Sequence, residues 1–357
     1  MTSTTVSLDD KYSIESGRIF VTGVQALARI PMVQRQRDVL EGLNTAGFIS
    51  GYRGSPVGGF DQQLWRAKKF LEQNHIHFQP GLNEDLAASA IWGSQQTNLH
   101  EGGTYDGVFA IWYGKGPGVD RCGDVFKHGN MSGPAKHGGV LLIAGDDHAA
   151  KSSTVPHQSE YAFMDASIPV LNPAGVQEVI DYGIFGFAMS RFSGCWVAFK
   201  TTAENMDSSS SIDVSPDRVK ISLPDFEMPE GGLSIRWPDD WIEQEHRLHQ
   251  YKLNAARAFA RENRIDRIII ESKTPKLGVI TTGKSYLDVR QALEDLGIDE
   301  VKADKLGLRL YKVGMPWPLE PAGIKEFSQG LKEILVVEEK RPIIESQLKE
   351  HLYNLPS

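Results

Sequence analysis

The sequence predicts an α/β protein, with a parallel-sheet unit followed by a smaller second α/β unit. Three observations carry that expectation. Short apolar runs of strand length recur early in the chain, each followed by a polar or glycine-rich loop and then a segment with helical spacing. Most of the 35 glycines lie before residue 206, clustered in those loops as GYRGSPVGG, GKGPGVD and AKHGGV. The same strand–loop–helix order restarts at Lys276. Short buried strands alternating with helices require a sheet whose two faces are both covered.

Taken in order, strands are expected at residues 47–50, 108–112, 140–144, 170–171 and 196–199. Residues 61–74 place Leu64, Ala67, Phe70 and Leu71 at helical spacing, and 84–99 and 176–191 follow the same pattern. Residues 204–240 differ: a serine run at 208–211, four prolines and several acids predict a connector laid across the first unit. Residues 241–265 predict one helix with Trp241, Leu248, Tyr251, Leu253, Ala256 and Phe259 on its apolar positions. Beyond it come a strand at 277–281, a helix at 286–296, a strand at 308–313 and the turn MPWPLEP. A helix at 322–330, a strand at 334–338 and a helix at 343–353 complete a three-stranded βαβαβα unit. The expected division is residues 1–205, a connector and linking helix at 206–268, and residues 269–357.

Composition removes several function classes. The charged residues, 38 basic against 46 acidic, leave a net charge of −8, which disfavours a cationic nucleic-acid binder. The two cysteines, Cys122 and Cys195, form no CxxC, so this chain builds neither a cysteine-ligated zinc site, nor a four-cysteine iron–sulfur cluster, nor a disulfide framework. No apolar run reaches the length of a membrane span, and the polar start MTSTTVSLDDKYS carries no apolar signal region. The expectation is a soluble cytoplasmic protein.

Four motifs stand out. Residues 278–285, GVITTGKS, fit the phosphate-loop pattern letter for letter. The context is wrong: the strand lies inside the motif, and the preceding SKTPK is polar and broken by proline. A tight strand-to-helix turn with Ser285 as N-cap explains the same letters, and a nucleotide hydrolase would stand or fall on Lys284. The loop Gly51-Tyr52-Arg53-Gly54-Ser55-Pro56-Val57-Gly58-Gly59 fits a ligand loop at a strand end and an ordinary turn equally well. Asn83-Glu84-Asp85 opens a helix; Glu84 is either a solvated first-turn acid or, in an apolar surround, a functional carboxylate. His148, Lys151, Ser152, Ser153, His157, Gln158, Ser159 and Glu160 crowd one loop, a density that suggests an anion or substrate contact. The spacing of Asp146, Asp147, His148 and His157 fits no standard metal site. With Gly114-Lys115-Gly116-Pro117-Gly118, three strand-end loops point to one crevice.

Together GYRGSP, LNEDLAASAIWGSQQ, WYGKGPGVDR, GDDHAAKSSTVPHQSE and IPVLNPAGVQEVIDYG resemble indolepyruvate ferredoxin oxidoreductase, a thiamine-diphosphate-dependent 2-oxoacid oxidoreductase, in its long single-chain bacterial form. The resemblance is ordered and runs from Tyr12 to the last helix. It implies a pyrimidine-binding domain to about residue 205 and a transketolase C-terminal-like domain from about 270. Glu84 falls on the family's activating glutamate, whose carboxyl bonds the pyrimidine nitrogen of the cofactor and so promotes loss of the thiazolium proton. Ser55 falls on a small hydroxyl residue that bonds the 2-oxoacid carboxylate or the cofactor, and Pro56 is retained beside it. Arg53 replaces the usual first proline; its guanidinium suits either bidentate pairing with a carboxylate or capping of the loop. Lys115 and Gly116 match the loop beside the cofactor, and His148 lies near the substrate side chain.

The departures matter as much. The family's Gly-Asp-Gly motif, which holds Mg²⁺ and the diphosphate, is not found; Gly145-Asp146-Asp147 is not one. The resemblance therefore implies half a cofactor site, shared with a diphosphate-binding domain or subunit and usually across a homodimer. Mg²⁺ and [4Fe–4S] clusters would belong to the complete enzyme, which would convert an aryl 2-oxoacid to its acyl-CoA and CO₂ with coenzyme A and ferredoxin. This chain alone would be inactive. A non-catalytic structural or assembly subunit is the alternative, favoured by the incomplete site.

Overall fold

The computed structural model describes residues 6–150 and 155–354. Among the described residues twelve strands form three sheets: β1 (Arg18–Thr22), β2 (Ala46–Gly51), β3 (Ile76–Phe78), β4 (Val108–Lys115), β5 (Val140–Gly145), β6 (Val170–Leu171), β7 (Val197–Thr201), β8 (Ser209–Asp213), β9 (Arg267–Ile270), β10 (Leu277–Thr282), β11 (Leu308–Val313) and β12 (Glu333–Val337). The larger sheet has six parallel strands in the order β3-β2-β4-β5-β7-β6.

Alternation along β4 and β5 sorts its side chains onto two faces. Phe109, Ile111, Tyr113, Leu141 and Ile143 join one core with the helices Gly23–Leu40 and Val176–Ser193. Ala110, Trp112, Leu142 and Ala144 join the other, under the helices Glu84–Ser94 and Gly123–Ser132. Both faces are apolar because both are covered. Truncating a fully buried aromatic such as Trp112 to alanine costs about 3–5 kcal/mol. The α/β parallel-sheet fold expected from the sequence, followed by a smaller α/β unit, is the one observed.

Several elements differ from expectation. Residues 18–40 carry β1 and an 18-residue helix that the pattern missed. That helix is buried on nearly all sides, Arg29 included, so it has no amphipathic stripe to find. Its Thr22–Gln25 capping box is intact. The connector holds β8, SSSID, which pairs antiparallel with β1 from Arg18↔Asp213 to Thr22↔Ser209. The helix expected at 61–74 breaks into Phe60–Arg66 and Lys68–Gln73, and the next ends at Ser94. The linking helix contains a π-helical stretch at Leu248–Lys252, where buried Lys252 donates to the Asn130 and Met131 carbonyls.

The second α/β sheet has four strands, not three, in the order β12-β10-β11-β9, with β9 antiparallel to β11. An additional helix spans Glu300–Leu306. The helix after β10 starts at Gly283 with Thr282 at its N-cap position, so Ser285 is not the cap. The two larger sheets meet at a seam where Val170 N donates to Trp317 O (2.7 Å) and Asn172 N to Gly314 O (2.9 Å). Among the described residues no helix is long and apolar enough to cross a membrane.

Candidate active site

The strand order creates the site. From β2 the chain runs outward to β3 at the sheet edge, then returns to β4 on the other side of β2. The winding direction therefore reverses between β2 and β4, and in open parallel sheets the carboxyl ends at such a switch point are where ligand crevices form. Tyr52 N donates to Tyr113 O (3.0 Å) and Gly81 N to Gly51 O (2.8 Å), which ties the segment ahead of Glu84 to this edge. Lys115 lies opposite Gly145, so the loops after β4 and β5 emerge side by side.

Glu84 opens its helix behind Asn83, whose side chain accepts from Leu86 N (2.9 Å). The Glu84 carbonyl accepts from the indole Nε1–H of buried Trp112 (3.0 Å). Its side chain lies against the backbone of the β4 loop. A Cβ on Gly118 would stand 2.5 Å from Glu84 Cγ and 2.9 Å from Oε1, and one on Gly114 would stand 3.4 Å from Cγ. These glycines supply the notch that the carboxylate fills. Nearby Cys122 is buried, and burial, followed by Asp85 and Glu84, pushes its thiol well above the ordinary range. The half-buried Glu84 thus stands among Trp112, two glycines and Cys122.

The β2 loop approaches from the other side. The Lys115 side chain crosses Gly54, where a Cβ would stand 2.8 Å from its Cγ and Cδ. Pro56 is buried against the end of β5; a Cβ on Gly145 would stand 2.9 Å from its Cδ. Ser55, between these anchors, is half-buried, and Arg53 is exposed. The structure thus brings Ser55, Pro56, Lys115 and Gly116 to the same strand ends as Glu84.

His148 has other neighbours. Its Nδ1–H donates to the His157 carbonyl (2.8 Å), its Nε2 lies 3.4 Å from Glu339 Oε2, and its own carbonyl accepts from Lys340 Nζ (3.0 Å). It sits on the seam with the second α/β sheet. Lys151, Ser152 and Ser153 lie outside the described residues.

His157, which the sequence left undistinguished within its loop, is the histidine at the crevice. Its ring occupies the space over Gly116, where a Cβ would stand 2.1 Å from Cγ and Nδ1. Its Nε2 lies 2.8 Å from Asp120 Oδ2 and its Nδ1 3.5 Å from Asp146 Oδ1. The bond with Asp146 raises the imidazole above its ordinary pKa; burial opposes this and Asp120 adds to it. Burial would raise Asp146, but His157, the Lys200 charge and two bonds from Ser159 outweigh it and hold the carboxyl at about 2. Lys200 is itself buried and paired with Glu160. Only the contact with Gly116, forty-one positions away, sets His157 apart, and no local spacing signals it.

The phosphate-loop letters serve packing. A Cβ on Gly278 would stand 2.4 Å from Leu331 Cδ1 and 2.7 Å from Phe327 Cζ, and Lys284 Nζ is bound to Asp288 Oδ2 at 2.7 Å. Among the described residues no group of three or more His, Cys, Asp or Glu is arranged to hold a metal ion.

Residues 267–357 match the family model of the indolepyruvate oxidoreductase domain. The chain is 27% identical over 345 residues to indolepyruvate oxidoreductase subunit IorA of Pyrococcus abyssi, covering 93% of this chain and 47% of that protein. It is 28% identical over 346 residues to the same subunit of Pyrococcus horikoshii, with the same coverage of 93% and 47%. The chain thus spans about half the length of these curated relatives. In fold it is similar to the 2-oxoglutarate:ferredoxin oxidoreductase of Magnetococcus marinus, solved with 2-oxoglutarate, coenzyme A and succinyl-CoA bound. That likeness has a TM-score of 0.65 at 16% identity, over 94% of this chain and 60% of that one. The chain is thus similar to these indolepyruvate oxidoreductase subunits over nearly all of its own length, and its residues 267–357 match the indolepyruvate oxidoreductase domain.

Proposed function

We propose that this chain is the pyrimidine-side part of a thiamine-diphosphate-dependent 2-oxoacid oxidoreductase that acts on aryl 2-oxoacids such as indolepyruvate. Residues 1–205 would form the pyrimidine-binding domain, 206–268 the connector and linking helix, and 269–357 the transketolase C-terminal-like domain. The single observation that carries the reading is the seat of Glu84 in the notch left by Gly114 and Gly118 at the carboxyl end of β4. A methyl group at Gly118 would collide with the carboxylate, so the chain keeps backbone alone beside it. Those neighbours suit a carboxylate that must meet the flat edge of a pyrimidine.

When bound, thiamine diphosphate supplies the carbanion chemistry that side chains lack. The chain's own residues do the rest. Glu84 holds and returns a proton at its carboxyl oxygen, at the cofactor's ring nitrogen. Half-buried Ser55 would hydrogen-bond the 2-oxoacid carboxylate or the cofactor, and exposed Arg53 has the fork to pair with that carboxylate. Pro56, Lys115 and Gly116 fix the two loops that meet there. The cofactor's diphosphate, its Mg²⁺ and the iron–sulfur clusters fall to a partner domain or subunit, and coenzyme A and ferredoxin to the assembled enzyme, which we read as dimeric.

The test is reconstitution. Combined with a polypeptide carrying the diphosphate-binding domain and the clusters, this chain should oxidise indolepyruvate with coenzyme A and reduce ferredoxin. E84Q should keep its fold and lose about 10²–10⁴-fold in turnover. Wild-type turnover in E84Q would remove Glu84 from the mechanism. A combination that assembles but never oxidises an oxoacid would favour the structural-subunit reading.

A further inference from the structure

The first turn of the helix Gly116–Arg121 separates two side chains. Residues 116–118 lie between the His157 ring, which occupies the space over Gly116, and the Glu84 side chain, which occupies the space over Gly118. Both glycines leave no room for a Cβ, at 2.1 Å from His157 and 2.5 Å from Glu84. This helix turn therefore transmits position from one group to the other through backbone. Carboxylates face both ring nitrogens of His157: Asp120, later in the same short helix Gly116–Arg121, and Asp146, just past the end of β5.

We propose that His157 is a positioning residue for Glu84: tied between Asp120 and Asp146, it holds the helix turn 116–118 against the Glu84 side chain. The inference rests on the reading of Glu84 as the activating carboxylate and adds to it a second residue, on a different loop, whose state the carboxylate follows. Only the imidazolium donates from both nitrogens, so the clamp is complete when the ring is charged and loses one bond when it is neutral.

The groups that face the ring set when this occurs. Asp120 comes from the same helix as Gly116 and Gly118 and is largely exposed, while Asp146 directly follows β5 and is fully buried. The Ser159 hydroxyl lies 3.4 Å from Nδ1 and also donates to Asp146. Behind Asp146 stands Lys200 of β7, paired with Glu160. His148 donates to the His157 carbonyl from the seam side. The carboxylates bonded to the ring outweigh its burial and raise its affinity for the proton. The charged, clamped state thus extends to a higher pH than a free histidine would allow, and is lost as the pH rises through the ring's own titration.

Trp112 reports on the result without turnover, because its indole N–H donates to the Glu84 carbonyl. In the chain alone, the Trp112 indole N–H resonance should move between pH 5.5 and 9 with the midpoint of the His157 ring. In D120N, which keeps the ring and its seat on Gly116, that midpoint should fall. In H157Q the resonance should be flat over the same range. In the reconstituted enzyme, H157Q should lower kcat by about tenfold to a hundredfold, the scale of a misplaced catalytic group, with little change in KM. A Trp112 resonance that ignores the His157 titration, or one that still moves in H157Q, overturns the proposal. The Glu84 reading fails separately: full turnover in E84Q with Trp112 still following His157 would leave the clamp standing without its catalytic purpose.

Discussion

At the residue scale the site depends on groups that are missing as much as on groups that are present. Gly118 lies within the helix Gly116–Arg121, where alanine would ordinarily add up to about 1 kcal/mol of helix stability. Here its Cβ would stand 2.5 Å from Glu84 Cγ. G118A is therefore expected to leave thermal unfolding almost unchanged while lowering the activity of the reconstituted enzyme by about a hundredfold, the scale of a carboxylate displaced by an ångström. Comparing the unfolding midpoint with kcat checks this, and an active G118A would show that the Glu84 seat is not needed. The sequence made Glu84 visible, because a helix start in a motif is local. It named Gly118 and His157 only as members of their loops, because what sets them apart arises from contacts between segments distant in sequence. His148 shows the reverse. Its neighbours in sequence suggested a substrate contact, while its partners in space are Glu339 and Lys340 of the second α/β unit.

At the element scale, the same short pattern can serve packing or chemistry, and its surroundings decide which. GVITTGKS has the letters of a phosphate loop, but its first glycine lies in the middle of a strand pair, opposite Arg309 of β11 and Ile334 of β12. A side chain there would meet Leu331 and Phe327, the residues that lock the following layer onto the sheet. G278A is expected to destabilise the second α/β unit by about 1–3 kcal/mol through overpacking. K284A removes only the partly exposed pair with Asp288 and should cost less than about 0.5 kcal/mol. Urea unfolding of the two variants checks the contrast, and nucleotide affinity that falls in K284A would restore the phosphate-loop reading. Strands with strong alternation or a continuous apolar run, such as β5 and β11, were legible to within one residue. β1 and β8 were not, because a serine-rich ribbon buries little and carries no hydrophobic period. β9 escaped because the charged residues around RIII hid a four-residue edge strand.

At the scale of the whole molecule, the seam joins the β6 end of the first sheet to the turn after β11, and one buried acid organises that turn. Asp266 accepts from Gly314 N (2.7 Å) and Met315 N (2.9 Å) through Oδ1. Those residues lie beside the backbone bonds to Val170 and Asn172. Burial, only partly offset by the two amides, raises Asp266 from the usual carboxylate range to about 7. Between about pH 4 and 7 the folded chain then holds a proton that the unfolded chain has released. The sign follows: this group's contribution is most favourable below the unfolded pKa and declines as pH rises, until the carboxylate is charged and buried above about 7. D266N keeps an oxygen for the two amides, puts a neutral donor where the second oxygen stood, and does not titrate. Relative to wild type it should gain stability from pH 5 to about pH 7 and level off by pH 8, and the two proteins should differ least at pH 5. Urea midpoints of the second unit at both pH values check this. A D266N advantage that is the same at both would mean that Asp266 is already charged in the folded seam, with its cost met by groups other than the amides of Gly314 and Met315.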